Sequence, residues 1–416
     1  MRLRLAGLPT LLVFATIATA ALLLAAACGS DPPLAQEEPA PPVQGPGIGR
    51  GLLAGIDTSL RSVDLGDIHF DLFNGLSISL AEADEATILR LVDAIIPLDA
   101  APELLSREEQ LRIGAVRYDA PDAIDFVAPD DLVLGYVADD GRPYAFPIGI
   151  LNFHEIVNDT LAGRAIVVTY CPLCRSGVIY DRVLDGRLLT FGNTSALYQS
   201  DLVMFDRQTN SYWPQTGGEA VVGVLTGARL TVLPSSMTTY DAWLRVHPDT
   251  LVLSSATGLD RSYASDPFRS YATSVNAGRV PFPVSSEFLN DDRLPSGDLV
   301  LVVDDGERAH AYPLNQLGDA ALHDTWLGEA LVVFATSAGP AGNVFRASLD
   351  GQTLRFEFDT ASRLYIDTAT RSSWDLAGRA VVGALAGAQL EQVSSRTAFW
   401  FSILASFSEV ELIGAS

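Results

Sequence analysis

The sequence predicts an α+β fold of mainly antiparallel strands, arranged as two pseudo-equivalent, repeated β-rich modules. The main observation is an internal repeat: residues 158–191 align without a gap on residues 323–356. After a four-residue deletion the match resumes, and "AVVG" occurs at both 220–223 and 380–383. Continuous apolar runs such as "AIVVTY" favour buried strands, and Asp-Gly pairs favour hairpin turns. "YDAWLRV" and "TAFWFSILASF" predict a short helix near the end of each module.

The N-terminal 27 residues have the layout of a secretory signal peptide. Arg2 and Arg4 precede an apolar run, and Cys28 follows that run directly. The run "LLLAAAC" resembles a bacterial lipobox, in which the cysteine is acylated and becomes the mature N-terminus. We therefore expect a cell-envelope lipoprotein, on the outer side of the cytoplasmic membrane or in the periplasm. Ordinary cleavage near Ala27 and an uncleaved anchor are the alternatives.

Composition divides the remaining chain into further parts. The stretch after Cys28 is rich in Pro, Gly and Glu, so it buries little apolar surface and is predicted to be a tether. A helix is predicted at 81–98, where apolar residues recur at helical spacing until Pro97. The predicted parts are the lipidated cysteine with its tether (28–65), a helical lead-in (66–131), module 1 (132–257), a connection (258–297) and module 2 (298–416).

The charge balance limits the partners. The chain carries 51 acidic and 27 basic residues, a formal net charge of −24. Nucleic-acid binding depends on neutralising phosphates with cationic side chains, so we exclude nucleic acid. The membrane is a predicted partner through the lipid alone, and no protein partner follows from the sequence.

Two cysteines follow the predicted strand "AIVVTY" directly, as Cys171-Pro-Leu-Cys174. In the repeat, Thr336 and Gly339 occupy their positions, so the module does not require the pair in order to fold. A disulfide across so short a loop removes little entropy from the unfolded chain, which weakens a purely structural role. Arg175 stands where c-type haem attachment needs His, which excludes that use.

Three uses of the cysteine pair stay open. The first is a soft-metal site for Zn(II) or Cu(I), with His154 of "NFHEIVND" as the third ligand. We expect "EIVNDTLAG" to be a short helix or turn that brings a His154 ring nitrogen within roughly 5 Å of one sulfur, as a shared ion requires. The second is thiol–disulfide exchange through Cys171 and Cys174. The third is a non-catalytic surface scaffold in which the pair is incidental.

Four charged residues are expected around this site: Glu155, Asp159, Asp206 and Arg207. Asp206 or Arg207 is expected to orient the imidazole of His154. Asp159 and Asp206 recur in both modules, which also suits a role in the fold, whereas Glu155 and Arg207 occur only in the first. No reaction follows from these residues, so catalysis is neither predicted nor excluded.

The motifs "HEIVND", "VVTYCPLCRSGVIYDR" and "LTFGNTSALYQSDLVMFDRQTNSYWPQTGGEAVVG" resemble the bacterial and archaeal family called domain of unknown function 3179. The resemblance covers roughly residues 120–416 and includes "DPFRSY", "PFPV" and the closing "FWF" segment. It implies an exported or anchored protein and no established activity. The positions that match the recurrent motif of the family are His154, Glu155, Asn158, Asp159, Cys171, Pro172, Cys174, Ser200, Asp201, Asp206, Arg207 and Trp213.

Overall fold

A computed structural model describes residues 57–339 and 341–415 of the chain. Strands account for 39% and helices for 15%, and most sheets are antiparallel, so the predicted α+β, mainly β fold is confirmed. The predicted signal peptide, Cys28 and most of the tether lie outside the described residues. No helix in the described ranges is long and apolar enough to cross a bilayer.

The N-terminal segment and module 1 contain strands β1 to β18 and helices α1 to α4. The N-terminal segment has β1 (Ile68–Asp71), β2 (Ser77–Ser79), α1 (Glu85–Leu91), β3 (Leu98–Asp99), α2 (Arg107–Gln110), β4 (Gly114–Ala115) and β5 (Tyr118–Asp119). Module 1 has β6 (Leu132–Val137), β7 (Pro143–Pro147), α3 (Ile148–His154), β8 (Ile156–Leu161), β9 (Arg164–Cys171), β10 (Ser176–Asp181), β11 (Val183–Leu184), β12 (Arg187–Leu188), β13 (Phe191–Tyr198), β14 (Asp201–Asp206), β15 (Tyr212–Pro214), β16 (Val232–Leu233), β17 (Ser236–Thr239), α4 (Tyr240–Val246) and β18 (Leu251–Leu253).

The connection and module 2 supply the remaining elements. The connection has two short helices, α5 (Tyr271–Asn276) and α6 (Ser286–Leu289). Module 2 has β19 (Leu299–Asp304), β20 (Arg308–Pro313), α7 (Leu314–Leu317), β21 (Ala320–Trp326), β22 (Glu329–Thr336), β23 (Ala341–Arg346), β24 (Ser348–Leu349), β25 (Gln352–Thr353), β26 (Phe356–Asp359), β27 (Leu364–Asp367), β28 (Ser373–Trp374), β29 (Ala380–Val382), β30 (Arg396–Phe399), α8 (Trp400–Ser406) and β31 (Glu409–Leu412).

Strand order is similar in the two halves. Module 1 contains the neighbours β17-β6-β7-β18, and module 2 contains β30-β19-β20-β31. In each set the last pair is parallel and the other pairs are antiparallel. Each half also has an antiparallel triplet, β8-β9-β10 and β21-β22-β23. The superposition of the complete modules stays a prediction.

One hairpin differs in length between the halves. The hairpin β13–β14 runs from Phe191 to Asp206, sixteen residues, and these two ends pair with each other. The hairpin β26–β27 runs from Phe356 to Asp367, twelve residues, with the same pairing of its ends. The four-residue deletion in the repeat therefore shortens this hairpin, which in module 2 has four residue pairs instead of six and an unbroken register instead of the β-bulge between Asn193 and Ala196.

An aspartate and a tryptophan form the same hydrogen bond in each half. The Asp206 carboxylate accepts from Trp213 Nε1 at 3.0 Å, and Asp367 accepts from Trp374 Nε1 at 3.2 Å. Both indole rings are fully buried. Each aspartate also accepts from the main-chain N–H three residues later, at 2.6 Å. These contacts support the fold of each half, because a buried indole N–H needs an acceptor.

Two predicted elements near the site differ from the structure. Helix α1 covers a shorter stretch than the predicted 81–98, because Asp93 adopts positive φ and its N–H bonds to the Asn193 carbonyl. The segment "EIVNDTLAG" was predicted as a short helix or turn, which is wrong. It forms strand β8, which pairs with β9 through a turn at Ala162–Gly163. The β-branched Ile156 and Val157 suit the strand.

Candidate metal centre

Both cysteines lie at the turn of the hairpin β9–β10, Cys171 at the end of the first strand and Cys174 in the loop. Cys171 is the last residue of β9 and pairs with Ser176, the first residue of β10, so residues 172–175 form a four-residue loop. Arg175 has a positive φ of 49°, which helps the loop return into the strand. The two side chains are 1% and 0% exposed and belong to the main hydrophobic core. The cysteines thus end a buried strand and enter a turn, as the sequence predicts.

The tip of the hairpin β13–β14 packs against this loop. Gln199 and Ser200 form the tip and both have positive φ, 52° and 60°, as a two-residue hairpin turn requires. The Ser200 carbonyl oxygen accepts hydrogen bonds from both thiols, at 3.7 Å from Cys171 Sγ and 3.3 Å from Cys174 Sγ. The tip therefore places the next residue, Asp201, beside the two sulfurs.

Asp201 completes a cluster of three potential metal ligands. One carboxylate oxygen of Asp201 and the sulfurs of Cys171 and Cys174 all lie within 4.8 Å of one another, and all three residues are buried. The carboxylate accepts from Thr216 N at 2.8 Å and from Thr216 Oγ1 at 3.0 Å. These two hydrogen bonds hold the carboxylate in a fixed orientation.

Burial alters the proton affinity of this cluster. Loss of hydration raises the pKa of Asp201 to about 7, although hydrogen bonds from Thr216 and Cys174 oppose the shift. Burial, followed by the hydrogen bond with Cys171, raises the pKa of Cys174 well above its usual range. The Cys174 thiol is thus protonated at neutral pH when no cation is near it, and a protonated thiol is a weak nucleophile.

Residues from the connection and from module 2 close the cluster. Phe399 N donates to the Cys174 carbonyl at 2.8 Å, and the Ser402 hydroxyl bonds to the Cys174 side chain and, at 3.2 Å, to Thr216 Oγ1. The buried hydroxyl of Tyr271 has no hydrogen-bond partner among the described residues. Its ring packs against that of Phe399, with the two centroids 6.3 Å apart. Burial raises the pKa of Tyr271, and the charges of both cysteines raise it further.

A buried arginine lies behind the cluster. Arg396 pairs with Asp304 at 2.8 Å and donates to the Thr216 carbonyl. Its charge is therefore balanced by Asp304, and Asp201 forms no ion pair within the described ranges. The cluster has two sulfur donors and one oxygen donor, and no basic side chain among the described residues hydrogen-bonds to any of them.

His154 occupies a different environment. It is the last residue of α3 and is buried, with Nδ1 at 2.6 Å from the Ile96 carbonyl and Nε2 at 2.7 Å from the Tyr263 hydroxyl. A carbonyl can only accept, so Nδ1 carries the hydrogen and Nε2 accepts from the tyrosine. Burial lowers the pKa of His154, which keeps the ring neutral. Neither nitrogen has a lone pair free for a metal, so the ligand set expected from sequence is corrected: the third group beside the cysteines is Asp201.

The four charged residues expected around the site form other contacts. Glu155 accepts from Asn193, and Asp159 accepts from Tyr118. Asp206 holds Trp213, as described above, and Arg207 pairs with Asp93 at 2.9 Å and Glu109 at 3.5 Å. Their hydrogen bonds and ion pairs within the described ranges reach neither the cysteines nor His154. The expectation that Asp206 or Arg207 orients His154 is therefore wrong.

Comparison with known proteins gives one match. Residues 113–409, more than half of the chain, match the family model described as "Protein of unknown function (DUF3179)". The chain belongs to this family. Searches of curated proteins and of solved structures found no match. The DUF3179 region includes Cys171, Cys174, Asp201 and Ser402, so the whole cluster lies within the family domain.

Proposed function

We propose that this DUF3179 protein binds one zinc ion through Cys171, Cys174 and Asp201. The observation that carries the proposal is the mutual distance of at most 4.8 Å between three buried donor atoms. Two thiolates and one carboxylate are ligands that zinc accepts in tetrahedral sites. Cu(I) prefers sulfur alone, so the oxygen donor favours Zn(II) of the two metals.

The second half of the chain supports this proposal. There the equivalent loop has Thr336 and Gly339, and the equivalent hairpin is four residues shorter. Thr336 Oγ1 donates instead to Asp319 at 3.1 Å. The hairpin β22–β23 therefore forms without cysteines in its loop and without a neighbouring hairpin as long as β13–β14. Both features occur together in module 1, as expected if they serve one shared ion.

Three protein ligands leave a fourth position on a tetrahedral ion. Zinc sites with three protein ligands hold water or substrate at that position, whereas purely structural sites use four protein ligands. The Ser402 side chain bonds to Cys174 and offers a hydroxyl group beside the cluster. The proposal is therefore a three-ligand zinc site, and it specifies no reaction.

Thiol–disulfide exchange is the second candidate function. Cys171 and Cys174 are free thiols close enough to approach each other. Both side chains are at most 1% exposed, however, and exchange requires an accessible thiolate. Burial of the two thiols therefore favours metal binding over thiol–disulfide exchange. A non-catalytic scaffold is the third candidate.

We also propose that the protein is exported and anchored through a lipidated Cys28. This proposal rests on the signal-like N-terminal sequence, in which an apolar run directly precedes Cys28. The alternatives are cleavage near Ala27 and an uncleaved anchor.

The test of zinc binding is elemental analysis of the mature chain, purified without a histidine tag. We expect about one zinc per chain in the wild type and little in Cys171→Ser, Cys174→Ser or Asp201→Asn. Asp319→Asn is the matched control, because Asp319 bonds to the equivalent loop of module 2, and it should retain zinc. A wild type without metal whose two thiols oxidise reversibly would support exchange instead. Absence of both metal and reversible oxidation would support the scaffold.

A further inference from the structure

A separate cavity of about 330 Å³ adjoins the loop that carries the cysteines. Pro172 and Leu173, the two residues between the cysteines, form part of its wall. This volume lies at the small end of ligand-binding pockets. The lining contains apolar, aromatic and acidic side chains and the amides of two asparagines, and no arginine or histidine is among the described residues that form it.

Glu155 contributes a carboxyl group to this cavity. It follows the last residue of α3 and has a positive φ of 57°, unusual for a residue other than glycine. The residue is 8% exposed, and its Oε2 accepts a hydrogen bond from Asn193 Nδ2 at 2.7 Å. Burial raises the pKa of Glu155 to about 8. A buried carboxyl with one defined partner is suited to bind a polar group of a ligand.

A network of strained residues positions Asn193 against Glu155. Asn193 N donates to Asp93 Oδ1 at 2.9 Å, and Asn193 Oδ1 accepts from Ser195 N at 2.6 Å. Asp93 and Ser195 also have positive φ, 52° and 57°, and a β-bulge separates Asn193 from Ala196. Strained conformations of this kind persist where the surroundings enforce them, and they concentrate at functional sites. Here two of them, Asp93 and Ser195, hydrogen-bond to Asn193, which in turn donates to the Glu155 carboxyl.

Asn152 provides a second, unsatisfied acceptor. Its Nδ2 donates to Asp266 Oδ1 at 3.0 Å. A carboxylate only accepts, so the amide is oriented with its oxygen away from Asp266. Asn152 is only 6% exposed, and its Oδ1 has no hydrogen-bond partner among the described residues. Such an acceptor costs about 1–3 kcal/mol unless a donor reaches it. A ligand that donates hydrogen bonds would remove this cost.

We propose that this cavity binds a small organic cation: a protonated amine on an apolar or aromatic body. Glu155 and Asn152 offer acceptors for the ammonium group, and Asp71 adds a second carboxylate to the lining. Phe73, Phe268 and Phe282 line the same cavity, and aromatic rings attract both cations and apolar groups. The inference does not depend on zinc, because none of the three proposed zinc ligands lines the cavity.

Calorimetric titration of the mature chain with three probes of matched shape tests this proposal. 2-Phenylethylamine should bind saturably with one site per chain, 2-phenylethanol on the order of tenfold more weakly, and phenylacetate not at all. Glu155→Gln should weaken amine binding about tenfold or more, since hydrogen bonds to charged groups have this magnitude. Ile95→Trp, which fills the cavity without altering an acceptor, should abolish amine binding.

The control is Asp140→Asn, which removes a carboxylate from an unrelated surface cavity. It should leave amine affinity within about twofold of the wild type. Absence of saturable amine binding, equal affinity for the alcohol, or unchanged affinity in Glu155→Gln would each overturn the proposal. The titration measures amine binding to the cavity, and the elemental analysis measures zinc at the cysteines. Either result can support its own proposal while the other overturns the other proposal.

Discussion

The sulfur of Cys174 lies 3.3 Å from the main-chain oxygen of Ser200, at the tip of a neighbouring hairpin. This contact joins two segments that are 26 residues apart in sequence. The hairpin from Phe191 to Asp206 that makes this contact is four residues longer than the equivalent hairpin in module 2. The contact is therefore specific to the half that carries the cysteines.

Replacing His154 should affect stability without affecting zinc. In His154→Ala the Ile96 carbonyl and the Tyr263 hydroxyl each lose a buried partner. The expected loss in the free energy of unfolding is about 2–4 kcal/mol. Chemical denaturation measures the loss, and elemental analysis of the same protein should find zinc at the wild-type level. Loss of zinc from a folded His154→Ala protein would support the original hypothesis that His154 is a zinc ligand.

The geometry of the cysteine loop was predictable from sequence because it is local. A β-branched apolar strand, a four-residue loop and a following strand are encoded within residues 164–181. The helix "YDAWLRV" was predictable for the same reason, and the structure has it as α4, Tyr240–Val246. Both features depend on residues close together in the chain.

Asp201 was not predicted as part of the site, because its position depends on tertiary contacts. In sequence it is an acid at the start of the strand "DLVMFD", thirty residues after Cys171. Two signals pointed to it: Asp201 is among the positions that match the family motif, and the half without cysteines has a hairpin four residues shorter. His154 was misplaced because the end of α3 directs it toward Ile96 and Tyr263, and the connection that supplies Tyr263 was expected to be only a linker.

The paired aspartates of the two halves should have equal roles in the fold. Asp206→Ala and Asp367→Ala each remove the acceptor of a buried indole N–H and of a main-chain N–H. Each is expected to lower the free energy of unfolding by about 2–4 kcal/mol, measured by denaturant titration. Asp206→Ala should leave zinc content unchanged in the folded protein. A zinc loss confined to Asp206→Ala would show a role at the site rather than in the fold.

Glu155 should make the protein less stable as pH rises. Its pKa is raised from 4.5 to about 8, chiefly by burial, with Asp201 and Asp71 adding repulsion. Between these values the unfolded chain releases the proton and the folded chain retains it, so the free energy of unfolding falls as pH increases. Glu155→Gln should therefore unfold at a similar temperature at pH 4 and at a higher temperature than wild type at pH 8.5. Calorimetry measures the unfolding temperatures of both proteins at both pH values. An equal difference between the two proteins at pH 4 and at pH 8.5 would contradict the prediction.

Cys28 should determine where the mature chain is found. In Cys28→Ser the acylation site is absent, so we expect an unprocessed precursor or a protein released from the membrane fraction. Mass spectrometry of the wild-type N-terminus should find a diacylated cysteine, and fractionation compares the two proteins. Identical fractionation with an unmodified N-terminus would mean that the signal is cleaved near Ala27 or retained as an anchor.

Zinc-edge X-ray absorption of the zinc-loaded mature protein tests the central claim most directly. The Cys171–Cys174–Asp201 cluster predicts two sulfur neighbours at about 2.3 Å and oxygen neighbours at about 2.0–2.2 Å. In the small zinc-bound fraction of each variant, Asp201→Asn should keep two sulfur neighbours per zinc and Cys171→Ser should keep one. A spectrum with only nitrogen and oxygen neighbours, or with imidazole scattering that disappears in His154→Ala, would contradict the assignment.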